Sequence, residues 1–244
     1  FAWFREERSG PEISTITEAN RMVNFPYTKF MNPIMHLNQA AALIITSAET
    51  ARALSIPKER WVYLHGGVDA HDRWFVSERN DFVSSPVVRE VATASLGMAD
   101  MGIEEINFFD LYSCFPSATM VQAMEIGLDI DNLPPLTITG GLPYFGGPGN
   151  NYTMHAIAQA VEKSRQDPDK IGFVSALGWY FTKYSVGIYS GREPHTPWNR
   201  QGQERIQTAL DGLQGPVLNE TPKGLAYVET YTVMHDHRGA PAYS

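Results

Sequence analysis

A single cysteine, Cys114, stands in the 244 residues. That excludes an intrachain disulfide framework and a cysteine-based metal site, and it suits a reducing compartment. The thiol is therefore free, either buried or reactive. Long apolar runs are also missing. None approaches the roughly 18–20 residues that a membrane-spanning helix needs, and the N-terminus lacks the basic start and apolar middle of a signal peptide. No membrane span and a cytoplasmic location are expected. Basic charge is scarce as well: 19 Lys and Arg against 27 Asp and Glu give a net charge of −8. With no basic stripe, nucleic acid is not an expected partner, although a local basic site remains compatible with a phosphate-bearing substrate.

What is present is enough for a proper core, with 43% hydrophobic and 11% aromatic residues in one large domain or parts of two. Residues 1–30 are polar and irregular, with one short helix expected near 13–22. The apolar run 40–46 reads as a buried strand, after which Ser47 caps a helix through Leu54 with Glu49 in its first turn. Residues 61–64 read as a second strand running into Gly66 and Gly67, and 68–83 as a surface connection. Ser85-Pro86 opens a helix whose apolar set Val88, Val91, Ala92, Ser95, Leu96 and Ala99 keeps to one face; Gly102 ends it. Strand 106–109, helix 117–126, strand 136–139 and helix 151–164 then alternate. Strands 171–177 and 184–189 close a mixed sheet as an antiparallel pair. A connector follows over 192–223, with a short helix at 204–210. Alternation at 228–233 and a turn at 236–239 read as the start of a small β module. A chain that begins at Phe1 and stops soon after a fresh strand is expected to be a piece of something longer.

Two runs carry the chemistry. Tyr112 to Cys114 follow the apolar strand 106–109 and precede an amphipathic segment, so they sit at the C-terminal end of a strand, the usual place for a reactive centre in an α/β sheet. Residues 139–151 hold glycines at 140, 141, 146, 147 and 149. They permit positive φ and close backbone approach, with Asn150 or Asn151 capping the helix that carries His155. A loop of this kind can present N–H groups to an anion or a carbonyl oxygen. His235 and His237 share strand spacing but lack further ligands, so a solvated hairpin is preferred to zinc. No metal site is expected.

At these two runs the sequence resembles the thiolase superfamily, over about residues 33–191. Tyr112-Ser113-Cys114-Phe115 resembles the His-Asp-Cys-Phe motif of sterol-carrier-type thiolases. Gly140-Gly141 followed by Gly146-Gly147-Pro148 resembles the family's Gly-Gly and later Gly-His-Pro, and residues 176–185 resemble its closing strand pair. The subgroup it looks like is the thiolase-like acetyl-CoA acetyltransferases with an additional small C-terminal domain, whose start residues 224–233 resemble. The resemblance implies an α/β thiolase fold, C-terminal half, with a mixed five-stranded sheet covered by helices and the start of a small β extension. The divisions are 1–57 (loop region and end of the N-terminal half), 58–191 (C-terminal thiolase domain), 192–223 (connector) and 224–244 (start of an added β domain). It also implies a homodimer, an N-terminal half in the same polypeptide or a separate chain, acyl-CoA as ligand, and no cofactor beyond coenzyme A.

The departures are chemical. Gly147 stands where the family has the Gly-His-Pro histidine, and Leu177 where it has the closing cysteine. By resemblance, Cys114 matches the cysteine of His-Asp-Cys-Phe and would move a proton. Tyr112 takes the place of the motif's first residue, an oxyanion binder, and a phenol can donate to an oxyanion or exchange a proton. Gly146, Gly147, Asn150 and Asn151 would form the oxyanion and substrate loop, His155 would supply the missing imidazole, and Lys183 would neutralise an enolate or a phosphate. Each has a plain alternative: Cys114 as a small core hydrophobe, Tyr112 as a packed aromatic, His155 as a structural or solvated helix residue, Lys183 as a solvated cation. The activity implied is Claisen condensation or thiolytic cleavage of a 3-oxoacyl-CoA, with the nucleophilic cysteine outside this chain. The alternatives are retro-aldol cleavage of a 3-hydroxyacyl-CoA through Tyr112, or a non-catalytic acyl-CoA-binding subunit.

Overall fold

The computed structural model describes residues 1–199 and 202–243. Its main sheet holds four strands in the order β3-β6-β5-β4, formed by β3 (Tyr63–His71), β4 (Phe108–Asp110), β5 (Gly172–Gly178) and β6 (Lys183–Ser190). β4 and β5 run parallel, whereas β5, β6 and β3 are antiparallel neighbours. This is the mixed α/β sheet expected, with four strands among the described residues where five were anticipated.

Alternation along the strands builds a core on each face. Val68, Phe173, Tyr184, Val186 and Ile188 meet helix α3 (Pro86–Ala99) through its buried stripe Val87, Val88, Val91 and Ala92. Val174 and Phe108 point the other way, against Tyr152, Ala156 and Ala160 of helix α5 (Tyr152–Gln166). Helix α4 (Pro116–Glu125) connects β4 to the loop that leads to α5. β3 is an edge strand, and helix α6 (Gln203–Asp211) covers it. The Gln207 amide accepts from His71 N and donates to His71 O, both at 3.0 Å, and Gln203 donates to Asp69 O at 3.0 Å. Two glutamines one turn apart thus satisfy alternate backbone groups of an exposed edge.

Several expectations are corrected. Residues 40–46 form no strand: Ile44 and Ile45 are 93% and 89% exposed, because no described strand lies beside them to complete a ladder. Residues 136–139 are irregular because the N–H groups of Ile138 and Thr139 go to the Asp110 carboxylate instead of to a strand. β3 runs on to His71, so residues 68–71 belong to the sheet. The alternating run 228–233 forms no strand: residues 228–232 are exposed, and only its end is held, where Thr232 Oγ1 donates to Phe25 O and Val233 O accepts from Phe25 N; the strand lies one step later, at β7 (Met234–His235). β7 pairs with β8 (Pro241–Tyr243) and with β1 (Met22–Asn24), which pairs in turn with β2 (Tyr27–Thr28), so a small second sheet joins the two ends of the chain. The early helix is α1 (Gly10–Ser14), and the helix after Ser47 is α2 (Ala48–Ala53) with Ser47 as its cap.

The contact of α3 with the sheet is close at Gly66, where a Cβ would collide with the Ser95 carbonyl, a backbone atom that cannot turn aside. Gly66→Ala is predicted to lower stability by about 1–3 kcal/mol through this overpacking, read as a lower urea midpoint at unchanged slope. Wild-type stability in that variant would contradict the packing described.

Candidate functional site

The site begins at the end of β4. Asp110 is fully buried, and its carboxylate collects four donors: Ile138 N at 2.9 Å, Thr139 N at 3.2 Å, Thr139 Oγ1 at 3.1 Å and the Tyr152 hydroxyl at 2.8 Å. One residue therefore ties the strand end to the following loop and to the first turn of α5. Burial pushes the Asp110 carboxyl up to about 6, against the pull of these hydrogen bonds. Ser113 adds another tie, accepting from Leu142 N at 3.2 Å.

A second network clamps the backbone of Tyr112. Its N–H donates to Ser175 Oγ at 2.9 Å, and its carbonyl accepts from the Gln122 amide at 2.8 Å. Gln122, fully buried on α4, also accepts from the Ser175 hydroxyl at 2.7 Å and the Tyr184 hydroxyl at 3.1 Å. The N–H and the C=O of Tyr112 are thus both referred to a single saturated amide. The Tyr112 ring stands edge-on to Tyr152 at 5.5 Å, and its hydroxyl has no hydrogen-bond partner among the described residues. Burial raises the phenol above its ordinary value, and nearby Cys114 adds to the shift.

Tyr112 faces a cleft of about 1210 Å³ that lies on the α5 side of the sheet, beyond the helix N-terminus. Its floor is Ala176 and Gly178 of β5 with Ser185 of β6; Asn150 and Thr153 flank it, and His71, Trp74 and Lys183 stand farther across. Three of the residues singled out in the sequence, Tyr112, Asn150 and Lys183, therefore share one space. Cys114 lies beside Tyr112 but packs against the apolar cluster of Phe108, Leu142 and Phe145, and burial raises its thiol to about 11, so it is a neutral thiol at physiological pH.

The structure does not bring the other expected residues to this cleft. Gly147 N–H donates to Ile34 O at 2.8 Å, so it is closed to an oxyanion. Gly146, at φ +114, lies under the Leu37 side chain. The chain's own segments 1–4 and 34–39 cover this loop: Trp3 N and Phe4 N bond the carbonyls of Phe145 and Tyr144, and Gln39 bonds Phe145 O. Asn151 provides no side-chain cap for α5; its amide donates to Gln39 O at 3.2 Å and to His155 Nε2 at 3.1 Å. His155 packs on Phe145 at 5.1 Å, with its basicity lowered by burial, and does not line the cleft. Residues given no role beforehand hold the site together: Asp110, Gln122, Ser175 and Tyr152. Asp110 was signalled by a charge directly abutting the apolar run 106–109, and Gln122 by an amide one turn after Ala118 on the buried stripe of α4.

Among the described residues no His, Cys, Asp and Glu cluster fit for a metal ion occurs, and no helix is long and apolar enough to cross a membrane.

The mixed sheet, with the site at a strand end followed by a glycine loop and a helix, defines an α/β fold. No protein-family model matches the chain, and a search of curated proteins finds no match. Among solved structures it is similar to a monomeric SCP2-thiolase-like protein type 1 from Mycobacterium smegmatis, at 40% identity and a TM-score of 0.87 over 94% of this chain and 50% of that one. The chain belongs to the thiolase superfamily and has an SCP2-thiolase-like fold. It spans about half the length of that relative. The relative is monomeric, which overturns the expected homodimer.

The raised Asp110 carboxyl fixes the sign of a pH effect. Between its usual value near 3.8 and about 6 the folded state keeps a proton that the unfolded state has lost. Its contribution to stability therefore falls as pH rises across that window and is level above it. Urea melts of wild type and Asp110→Asn across these pH values should show this decline in the wild type and a flatter profile in the variant. Parallel profiles would exclude a buried, proton-holding Asp110.

Proposed function

We propose that this chain supplies the Tyr112 side of an acyl-CoA site in which the phenol acts as hydrogen-bond donor to the thioester or enolate oxygen. The observation that carries the reading is that Tyr112 lines the cleft with its hydroxyl unpartnered among the described residues and its backbone clamped at both N–H and C=O. Burial raises its pKa, which keeps the phenol protonated; a donor to developing negative charge is favoured over a base. This supports Claisen condensation or thiolytic cleavage of a 3-oxoacyl-CoA over retro-aldol cleavage, which needs Tyr112 to accept a proton. By family resemblance the acyl-accepting cysteine would lie outside this chain. When that thiolate attacks the 3-oxo carbon and the C2–C3 bond breaks, the electron pair passes into the departing thioester enolate, whose oxygen accepts from Tyr112. Protonation of its carbon completes release of acetyl-CoA. The neutral Cys114 thiol, next to Tyr112, is the proposed proton source.

A second reading, a non-catalytic acyl-CoA-binding protein, is favoured by the glycine loop, where Gly147 offers neither an imidazole nor a free N–H. Assay of the full-length protein separates the readings. Thiolysis of acetoacetyl-CoA whose kcat falls about a hundredfold or more in Tyr112→Phe supports the donor role. Turnover unchanged in that variant contradicts it, as does cleavage of a 3-hydroxyacyl-CoA in place of thiolysis. Binding without turnover selects the second reading.

A further inference from the structure

The cleft continues past Tyr112 to a polar end that the proposed chemistry does not use. In register across the sheet, Gly178 of β5 pairs with Lys183 of β6, and Lys183 pairs with His71 of β3. The row two residues before it holds Ala176, Ser185 and Asp69. These residues share the sheet face that carries Val174 and Tyr189 toward α5, and small side chains leave the floor between Tyr112 and Lys183 open.

Lys183 and His71 are prepared differently. The Lys183 stem lies along Gly178, where a Cβ would stand 3.0 Å from its Cε and 3.8 Å from Nζ, so the missing side chain of Gly178 sets the path of the lysine. Its ammonium makes no ion pair or hydrogen bond among the described residues. His71 is half-buried and stacks on Trp74 at 5.7 Å. Its Nδ1 lies 3.3 Å from both Asp72 O and the Gln207 amide, so Nε2 is the nitrogen left for a ligand. The Trp74 loop is itself fixed by half-buried Arg79, which faces the Asp72 carboxylate at 3.8 Å and donates to Arg73 O at 2.9 Å. Of the other charges at this end, Asp69 is already engaged, and Glu204 and Arg205 are neighbours of opposite sign on the exposed first turn of α6.

We propose that Lys183 and His71 form an anion subsite that holds a negatively charged group of the acyl thioester whose carbonyl meets Tyr112. The inference rests on the acyl-CoA reading and adds a requirement to it: a ligand with an anionic group two or three strands away. At about 4.8 Å per strand and one row of offset, the backbones are separated by on the order of 10–15 Å. A carboxylate at the far end of the acyl chain and a phosphate of coenzyme A offer this same chemistry.

Titration calorimetry on the full-length protein tests it with wild type, Lys183→Ala, Lys183→Arg and His71→Gln. The probes are acetyl-CoA, acetyl-pantetheine, and the pantetheine thioesters of octanoic and suberic acid, which share a chain length and differ by a terminal carboxylate. Loss of a charge-assisted contact predicts about ten- to a hundredfold weaker binding in Lys183→Ala, largely restored in Lys183→Arg and partly lost in His71→Gln. A loss confined to acetyl-CoA assigns the anion to the coenzyme's phosphates; a loss confined to suberyl-pantetheine assigns it to the acyl chain. Equal affinity of wild type and Lys183→Ala for every probe overturns the subsite while leaving the acyl-CoA reading intact. Failure of the wild type to bind any probe overturns that reading, and the subsite with it.

Discussion

The buried carboxylate of Asp110 is the constraint on which the site depends. It sits at the end of a three-residue strand, too short to position the next segment by ladder hydrogen bonds alone. Four donors from two later segments converge on it. The loop at 136–139 bonds this side chain where another protein would add a strand. The Tyr152 hydroxyl brings in the start of α5, so one carboxylate sets the distance between strand, glycine loop and helix. Removing it would leave several buried donors without acceptors, each costing about 1–3 kcal/mol.

Gln122 does for Tyr112 what Asp110 does for the loop. An amide can give two hydrogen bonds and accept two, and this one does both, to Tyr112 O, Ala118 O, Ser175 and Tyr184. The backbone of Tyr112 is thereby held from strand and helix together. Tyr112 lines the cleft, and no described protein group competes for its phenol proton. Positioning by a rigid, satisfied network and a reactive group left unsatisfied are complementary halves of preorganisation.

Much of this was legible in the sequence. Helices α3 and α5 announced themselves by an apolar stripe and, in α3, by Pro at its first position; the strands of the main sheet by apolar runs of the right length. The motif around Tyr112 pointed to the correct end of β4. What could not be read was competition for backbone groups. Residues 40–46 and 228–231 have strand composition, but composition does not supply a neighbouring strand; only Thr232 and Val233 are hydrogen-bonded, at Phe25. Residues 136–139 look like a strand until Asp110 takes their N–H groups. The glycine loop likewise looked open to an oxyanion, and only folding shows that Ile34 occupies the Gly147 N–H. His71 is silent in sequence because its proposed role comes from cross-strand register with Lys183, which links residues 112 positions apart in the chain.

In this thiolase-superfamily chain the family's place for an imidazole is sealed, and the proposed chemistry falls to the strand end. On the proposed reading Tyr112, rather than the glycine loop, is the group that meets the acyl oxygen. A crystal structure of the full-length protein with a non-hydrolysable acyl-CoA analogue tests this most directly. The carbonyl oxygen is predicted within hydrogen-bond distance of the Tyr112 hydroxyl, with the Gly147 N–H still on Ile34. An acyl oxygen bound by the N–H groups of residues 146–149, with Tyr112 turned away, would contradict it.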